Sequence, residues 1–260
     1  MMYDNHSASC DNDNPRKRKH CMADRSFDAN DHAGRRVETQ RDGHPWTFVS
    51  CALDRNNGER TAHNDAIVIA VDGACRDNGR YNARGGYGVY FHDDNDEYNE
   101  IGLLPDDVAQ TNQRAELTAG LVALRIANRI KQRNYGGRFV GKRRFGPLQC
   151  LNHIVIKADS EYLVKGMTTW IDKWRNNGFL NARGVPVTNQ DLFECLDEEI
   201  SDLNDMDVQV DFWHVRRAEN AEADCLANAA LDDVTARKAL DRLRGYDSFE
   251  DDYSSSDDYY

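Results

Sequence analysis

The sequence is short of the features that mark several protein classes. Its seven cysteines are an odd number with no CxxC pair among 260 residues. Neither a disulfide framework nor a zinc site is indicated, and a reducing compartment fits best. No apolar run approaches the roughly 18 residues of a membrane span, so no membrane partner is expected. Met1 to Asn14 is acidic and lacks the apolar stretch of a secretory signal. Excess positive charge is missing too: 33 Lys and Arg stand against 45 Asp and Glu, a formal net charge of -12. That balance does not exclude a nucleic-acid partner, because binding depends on where the basic groups lie. Six of the acids fall in residues 245–260, which have no Lys or Arg at all.

Apolar residues are unevenly placed. Residues 1–65 hold few apolar clusters, and residues 245–260 are a Ser/Tyr/Asp run. Both read as largely disordered, an N-terminal arm and an acidic tail, which leaves 66–244 to bury a core of domain size. The basic cluster Pro15-Arg16-Lys17-Arg18-Lys19-His20 fits a nuclear address, so an intracellular location, nuclear or cytoplasmic, is expected. Residues 131–150 carry six basic groups and no acid, and read as a basic insertion loop.

Within 66–244 the pattern alternates strands and helices. Ala66 to Val71 is a continuous apolar run of strand length, which predicts a strand covered on both faces. Gly86–Phe91 and Tyr98–Leu103 read as second and third strands, and His153–Ala158 and Val208–Val215 as two more. Helices are predicted at about 113–130, at 160–176 with a break, at 189–203 and at 220–231. The sum is an α/β fold: a five-stranded mixed sheet, three strands antiparallel and two parallel, flanked by helices. Asp72 and Asp159 each end an apolar strand, while Glu116 and Asp224 lie early in helices. Strand ends and adjoining helix starts form the usual crevice of such sheets. Acids gathered there would suit divalent cations and phosphodiester chemistry, although four acids among 45 carry little weight without their neighbours.

Those neighbours resemble a known family, the type 1 ribonucleases H, in its eukaryotic and fungal-like forms. The likeness rests on Ile69-Ala70-Val71-Asp72-Gly73-Ala74-Cys75-Arg76-Asp77-Asn78-Gly79 with Gly85-Gly86-Tyr87-Gly88, and on Thr111-Asn112-Gln113-Arg114-Ala115-Glu116-Leu117. It continues in Ala158-Asp159-Ser160-Glu161-Tyr162 with Trp170 to Phe179, and in Asn220-Ala221-Glu222-Ala223-Asp224. The blocks come in the family's order over about 66–231. The resemblance implies a ribonuclease H-like fold and an endonuclease.

 Each block by itself is a weak signal, and the specificity comes from the set.

Carried over residue by residue, the resemblance implies hydrolysis of the RNA strand of RNA/DNA hybrids, giving 5′-phosphate and 3′-hydroxyl products. Asp72, Glu116, Asp159 and Asp224 would be the catalytic and metal-binding set for two Mg2+ ions, with Mn2+ as a substitute. Asp72 would touch both ions, Glu116 and Asp159 completing one and Asp224 the other. Cys75, Asn78, Asn112 and Gln113 would line the minor groove and read the RNA strand, whose 2′-hydroxyl both donates and accepts. Tyr162, Trp170 and Trp174 would form a channel for the DNA strand, and Thr111 and Asn189 would hold a DNA phosphate. The expected partner is the hybrid duplex, bound by a monomer.

Some positions depart from the family pattern. The loop Val215-Arg216-Arg217-Ala218-Glu219-Asn220 is short and has no His, and His214 falls inside the preceding strand. Ala109 stands where an Arg often serves the phosphate pocket, and Glu161 where a neutral side chain is usual. No hybrid-binding module is recognisable in 1–65. These departures keep open a non-cleaving hybrid-binding module as the alternative, and an enzyme of another kind on the same fold as a third reading.

Overall fold

The computed structural model describes residues 25–29, 37–40, 44–53, 60–93, 97–135 and 151–232. The basic cluster at 15–20, most of the basic insertion and the acidic tail lie outside the described residues, as do the expectations attached to them.

Among the described residues the strands are β1 (Glu38–Gln40), β2 (Thr47–Leu53), β3 (Arg60–Arg76), β4 (Arg84–Tyr90), β5 (Glu100–Leu103), β6 (His153–Ala158) and β7 (Gln209–His214). The helices are α1 (Asn112–Tyr135), α2 (Glu161–Lys165), α3 (Ile171–Asn177), α4 (Gln190–Asp205) and α5 (Ala221–Asp232). The break expected within 160–176 is a π-helical turn, Gly166–Trp170, between α2 and α3. The five expected strands are β3 to β7: β3, β4 and β5 pair antiparallel, and β6 joins β3 and β7 in parallel.

The sheet also contains two strands from the segment expected to be a disordered arm. β2 pairs antiparallel with β3, Thr47 opposite Val68, and β1 adds to β2. β4 reaches only as far as Ala70 opposite Tyr90, so β2 takes over the same edge of β3 where β4 leaves it. The junction is closed by Thr47, whose backbone N–H and hydroxyl both donate to the Phe91 carbonyl, at 3.1 and 2.8 Å. The fold therefore starts well before residue 66. Phe27 and Val37 stand among charged residues, whereas Trp46, Phe48 and Val49 lie in the uncharged run Pro45–Leu53, a local strand signal, and all five are buried.

β3 is apolar without interruption because both of its faces are covered. Ile67, Ile69 and Val71 join a core with Leu117, Leu121 and Leu124 of α1 and Leu196, Ile200 and Leu203 of α4. Ala66 and Val68 on the other face pack with Val155, Val49, Val37 and Phe27. Each large aliphatic side chain fully buried in this way contributes about 1.5–3 kcal/mol.

Two glycines let helices close onto the sheet. A Cβ on Gly73 would stand 2.1 Å from the backbone N of Glu116, so α1 meets β3 directly beside Asp72. A Cβ on Gly88 would stand 2.5 Å from the backbone N of Ala227 and 2.7 Å from the Ala223 carbonyl, so α5 lies equally close to β4. Gly88 is the partner of Asp72 in the β3–β4 register. The first turns of α1 and α5 thus approach one point of the sheet from its two faces.

Candidate active site

Strand register places the first two acids. Ala70 of β3 pairs with Lys157 of β6, so Asp72, two residues on, runs level with Asp159. The Asp72 and Asp159 carboxyl groups are within hydrogen-bonding reach of each other, and Asp224 adds its charge from α5. Burial first, and then Asp159 and Asp224, push the Asp72 carboxyl up to about 8, against a smaller opposing pull from the Gly73 backbone. Glu116 is also raised, mainly by burial and also by the charge of Asp159. Hydrogen bonds from Ser160 and Asn112, and the charge of Arg217, pull it back down.

Three of the four acids, Glu116, Asp159 and Asp224, have a dedicated side-chain holder. Asn112 Nδ2 donates to Glu116 Oε1 at 3.0 Å, and the Ser160 hydroxyl donates to Glu116 Oε2. Ser160 also accepts from the Leu163 N–H at 3.2 Å, so the cap of α2 orients a carboxylate on α1. Asn220, fully buried, donates from Nδ2 to the Val71 carbonyl at 2.9 Å and to Asp159 Oδ1 at 3.3 Å. Asn228 Nδ2 donates to Asp224 Oδ2 at 3.2 Å, one turn along α5, and Arg217 pairs with Asp224 Oδ1. Ser160, Asn220 and Asn228 had no role in the sequence reading. Ser160 and Asn220 carried a legible signal, a capping residue at the start of a predicted helix, whereas Asn228 carried none.

Among the described residues, no three His, Cys, Asp or Glu side chains are gathered tightly enough to hold one ion as they stand. Arg217 and Asn228 take both oxygens of Asp224, while Ser160 and Asn112 take both of Glu116. The donor chemistry nevertheless fits a hard divalent cation: the four groups offer only oxygen, and their mutual repulsion is what such a cation would relieve.

The remaining candidates fall into two groups. Cys75 is half-buried, with Sγ 3.4 Å from the Gln110 carbonyl, and Asn78 Oδ1 accepts from the Asn112 N–H at 3.4 Å. Asn78 is thereby linked through Asn112 to Glu116, while Gln113 beside them is exposed. Thr111 Oγ1 accepts from the Arg114 N–H at 3.2 Å, and the Arg114 guanidinium donates to Asn189 Oδ1 at 3.2 Å. Arg114 therefore joins Thr111 to Asn189 and brings a cation to a place where Ala109 has none, although Asp191 pairs with it. The Tyr162 hydroxyl donates to the Thr188 carbonyl at 2.9 Å, and the Tyr162 and Trp170 rings lie 6.2 Å apart, both half-buried. Trp174 differs: it is 9% exposed with its ring 4.9 Å from Phe193, so it belongs to the core and not to a channel surface.

Residues 64–232 match the family model for RNase H. The chain belongs to the ribonuclease H family. It is 32% identical over 176 residues to the ribonuclease H of Halorhodospira halophila, covering 68% of this chain and 99% of that one. It is likewise 32% identical over 198 residues to the ribonuclease H1 of Rattus norvegicus, covering 73% of this chain and 56% of the relative. Among solved structures it is similar to LC11-RNase H1 in complex with an RNA/DNA hybrid, at 22% identity and a TM-score of 0.40, over 66% of this chain and 98% of that one. The fold is that of the ribonucleases H, and the activity is that of a ribonuclease H, a nuclease. Within this ribonuclease H the matched region starts at residue 64, so β1 and β2 precede it.

Proposed function

We propose that this ribonuclease H hydrolyses the RNA strand of an RNA/DNA hybrid by a two-metal-ion mechanism, leaving 5′-phosphate and 3′-hydroxyl ends. One observation carries the reading: buried Asp72 lies within the fields of Asp159 and Asp224, and Glu116 within that of Asp159, where β3, β6, α1 and α5 meet. Gathering like charges destabilises a fold, and a set so placed is a candidate functional site. Asp72, Glu116, Asp159 and Asp224 would hold divalent cations, Mg2+ or in its place Mn2+, which supply activation of the attacking water and neutralisation of the leaving oxygen.

The chain's own residues do the positioning. Asn220 fixes Asp159 against the end of β3, and Ser160 with Asn112 fixes Glu116, so the carboxylates keep their orientation without help from substrate. Asn78, Asn112 and Cys75 stand on the same rim, where amide and backbone groups can read a 2′-hydroxyl. Thr111, Asn189 and Arg114 form a polar cluster suited to a phosphate of the DNA strand, and Tyr162 and Trp170 offer ring faces to sugars. The chain would act as a monomer.

A non-cleaving hybrid-binding role is the second reading, favoured by Arg217 pairing with Asp224 in a short loop without His. The full-length protein, a labelled hybrid duplex, and Mg2+ or Mn2+ decide between them. Cleavage confined to the RNA strand and lost in Asp72→Asn supports the nuclease. Tight binding without cutting under either metal supports the second reading, and cutting of plain DNA overturns both.

A further inference from the structure

The turn between β7 and α5 puts a cation on one of the four acids. Arg217, in the short 3-10 turn Arg217–Glu219, pairs with Asp224 Oδ1, and its field also reaches Glu116. The two partners differ in freedom. Asp224 sits in the first turn of α5 and is held at Oδ2 by Asn228, whereas the Arg217 side chain is 71% exposed on a long stem. If either gives way, Arg217 does. A divalent cation on Asp224 needs the oxygen that the guanidinium occupies, and two cations sharing one carboxylate oxygen repel each other.

From this we propose that Arg217 is an internal counter-ion for Asp224 that a divalent cation must displace, so that the loop sets the metal concentration at which the site fills. The proposal rests on the nuclease reading, and it makes Arg217 a positioning residue. Without a cation the guanidinium offsets part of the repulsion among Asp72, Asp159 and Asp224. With one bound, Arg217 swings toward solvent, where its exposure costs it little. Its neighbour Arg216 is exposed on the same loop, and its backbone N–H donates to Glu219 at 3.1 Å. Arg216 therefore serves as the control for net charge alone.

The test is Mn2+ titration of the full-length protein by calorimetry without nucleic acid, at low and at high salt, alongside thermal melts of the metal-free protein. Exposed ion pairs are weak, so Arg217→Ala should bind Mn2+ only about two- to fivefold more tightly than wild type at low salt. The gap should close at high salt, as screening removes the competition. Metal-free Arg217→Ala should melt below wild type and gain more from saturating Mn2+. Arg217→Lys, which keeps the charge, and Arg216→Ala should both stay near wild type. Equal or weaker Mn2+ binding by Arg217→Ala overturns the counter-ion role while leaving the nuclease reading intact. Wild type that binds no Mn2+ overturns the metal site and the counter-ion together.

Discussion

The buried amide of Asn220 donates to the Val71 carbonyl at 2.9 Å and to Asp159 Oδ1 at 3.3 Å. One side chain, at the start of α5, thus ties the end of β3 to the carboxylate that ends β6. It pins the Asp159 carboxylate beside the end of β3, which the backbone ladder already aligns with β6.

Asn220→Ala should lose cleavage chiefly in kcat, with KM little changed, because no substrate contact is removed. Leaving the Val71 carbonyl unpaired should cost about 1–3 kcal/mol of stability. Asn220→Asp should be worse than Ala at neutral pH, since it adds a carboxylate beside Asp159. Steady-state kinetics and chemical denaturation check both statements, and an Asn220→Ala enzyme with wild-type kcat would refute the positioning role.

The metal-free protein should lose stability as pH rises from about 4 to about 8. The Asp72 carboxyl is pushed up to about 8 in the folded chain, above its ordinary value, so the folded state holds a proton that the unfolded state releases. The contribution is fully present below the unfolded value and lost as pH passes the folded one, at no more than about 1.4 kcal/mol per pH unit. Asp72→Asn should flatten that slope and be the more stable protein at pH 8. Urea denaturation in EDTA across this range measures it. Saturating Mn2+ should remove the difference by competing with the proton.

Gly73→Ala should damage both stability and activity. The added methyl would stand 2.1 Å from the backbone N of Glu116, so α1 must move outward and carry Glu116 with it. A fall in melting temperature together with a fall in kcat is the expected pair. Wild-type behaviour would mean that α1 can shift without disturbing the site.

Phe27→Ala should destabilise the protein by about 3 kcal/mol, the low end for Phe→Ala in a core. Phe27 is 7% exposed, its N–H donates to the Phe212 carbonyl at 3.0 Å, and it packs among Val37, Val49, Val68 and Val155. Activity measured well below the melting temperature should be unchanged, because this packing lies on the sheet away from the acids. A fragment starting at residue 66 should be less stable still, as the second face of β3 and the Lys157–Glu38 ion pair are lost with it.

Trp174→Ala and Trp170→Ala should separate cleanly. Trp174 is core, so its loss should lower stability by about 3–5 kcal/mol. Trp170 is half-buried beside Tyr162, so its loss should mainly raise KM for the hybrid. Melting curves and kinetics on the two variants distinguish the roles.

Local pattern was enough for β3 to β7 and the main helices. Six apolar residues from Ala66 to Val71 demand a strand with two covered faces, and Leu117, Leu121 and Leu124 recur at helical spacing. Asp72, Glu116, Asp159 and Asp224 were singled out for a different reason, their motif neighbours. In the N-terminal segment only β2 left a local signal, the uncharged run Pro45–Leu53; Phe27 and Val37 stand isolated among polar residues and bury only once β3, β6 and β7 are assembled beside them. Which way the Trp174 ring faces was not legible, because a Trp in a motif looks the same whether its ring faces the core or a groove.

What the sequence by itself determined is where strands end and helices begin, because hydrophobic period, glycine and capping residues act over a few neighbours. What only the tertiary structure decided is which groups meet: Arg217 on Asp224, Ser160 on Glu116, Asn220 between Val71 and Asp159. Apart from Arg217 and Asp224, seven residues from each other, those contacts join residues distant in the chain. They depend on parallel register and on how closely two glycines let the helices approach, and no local pattern records either.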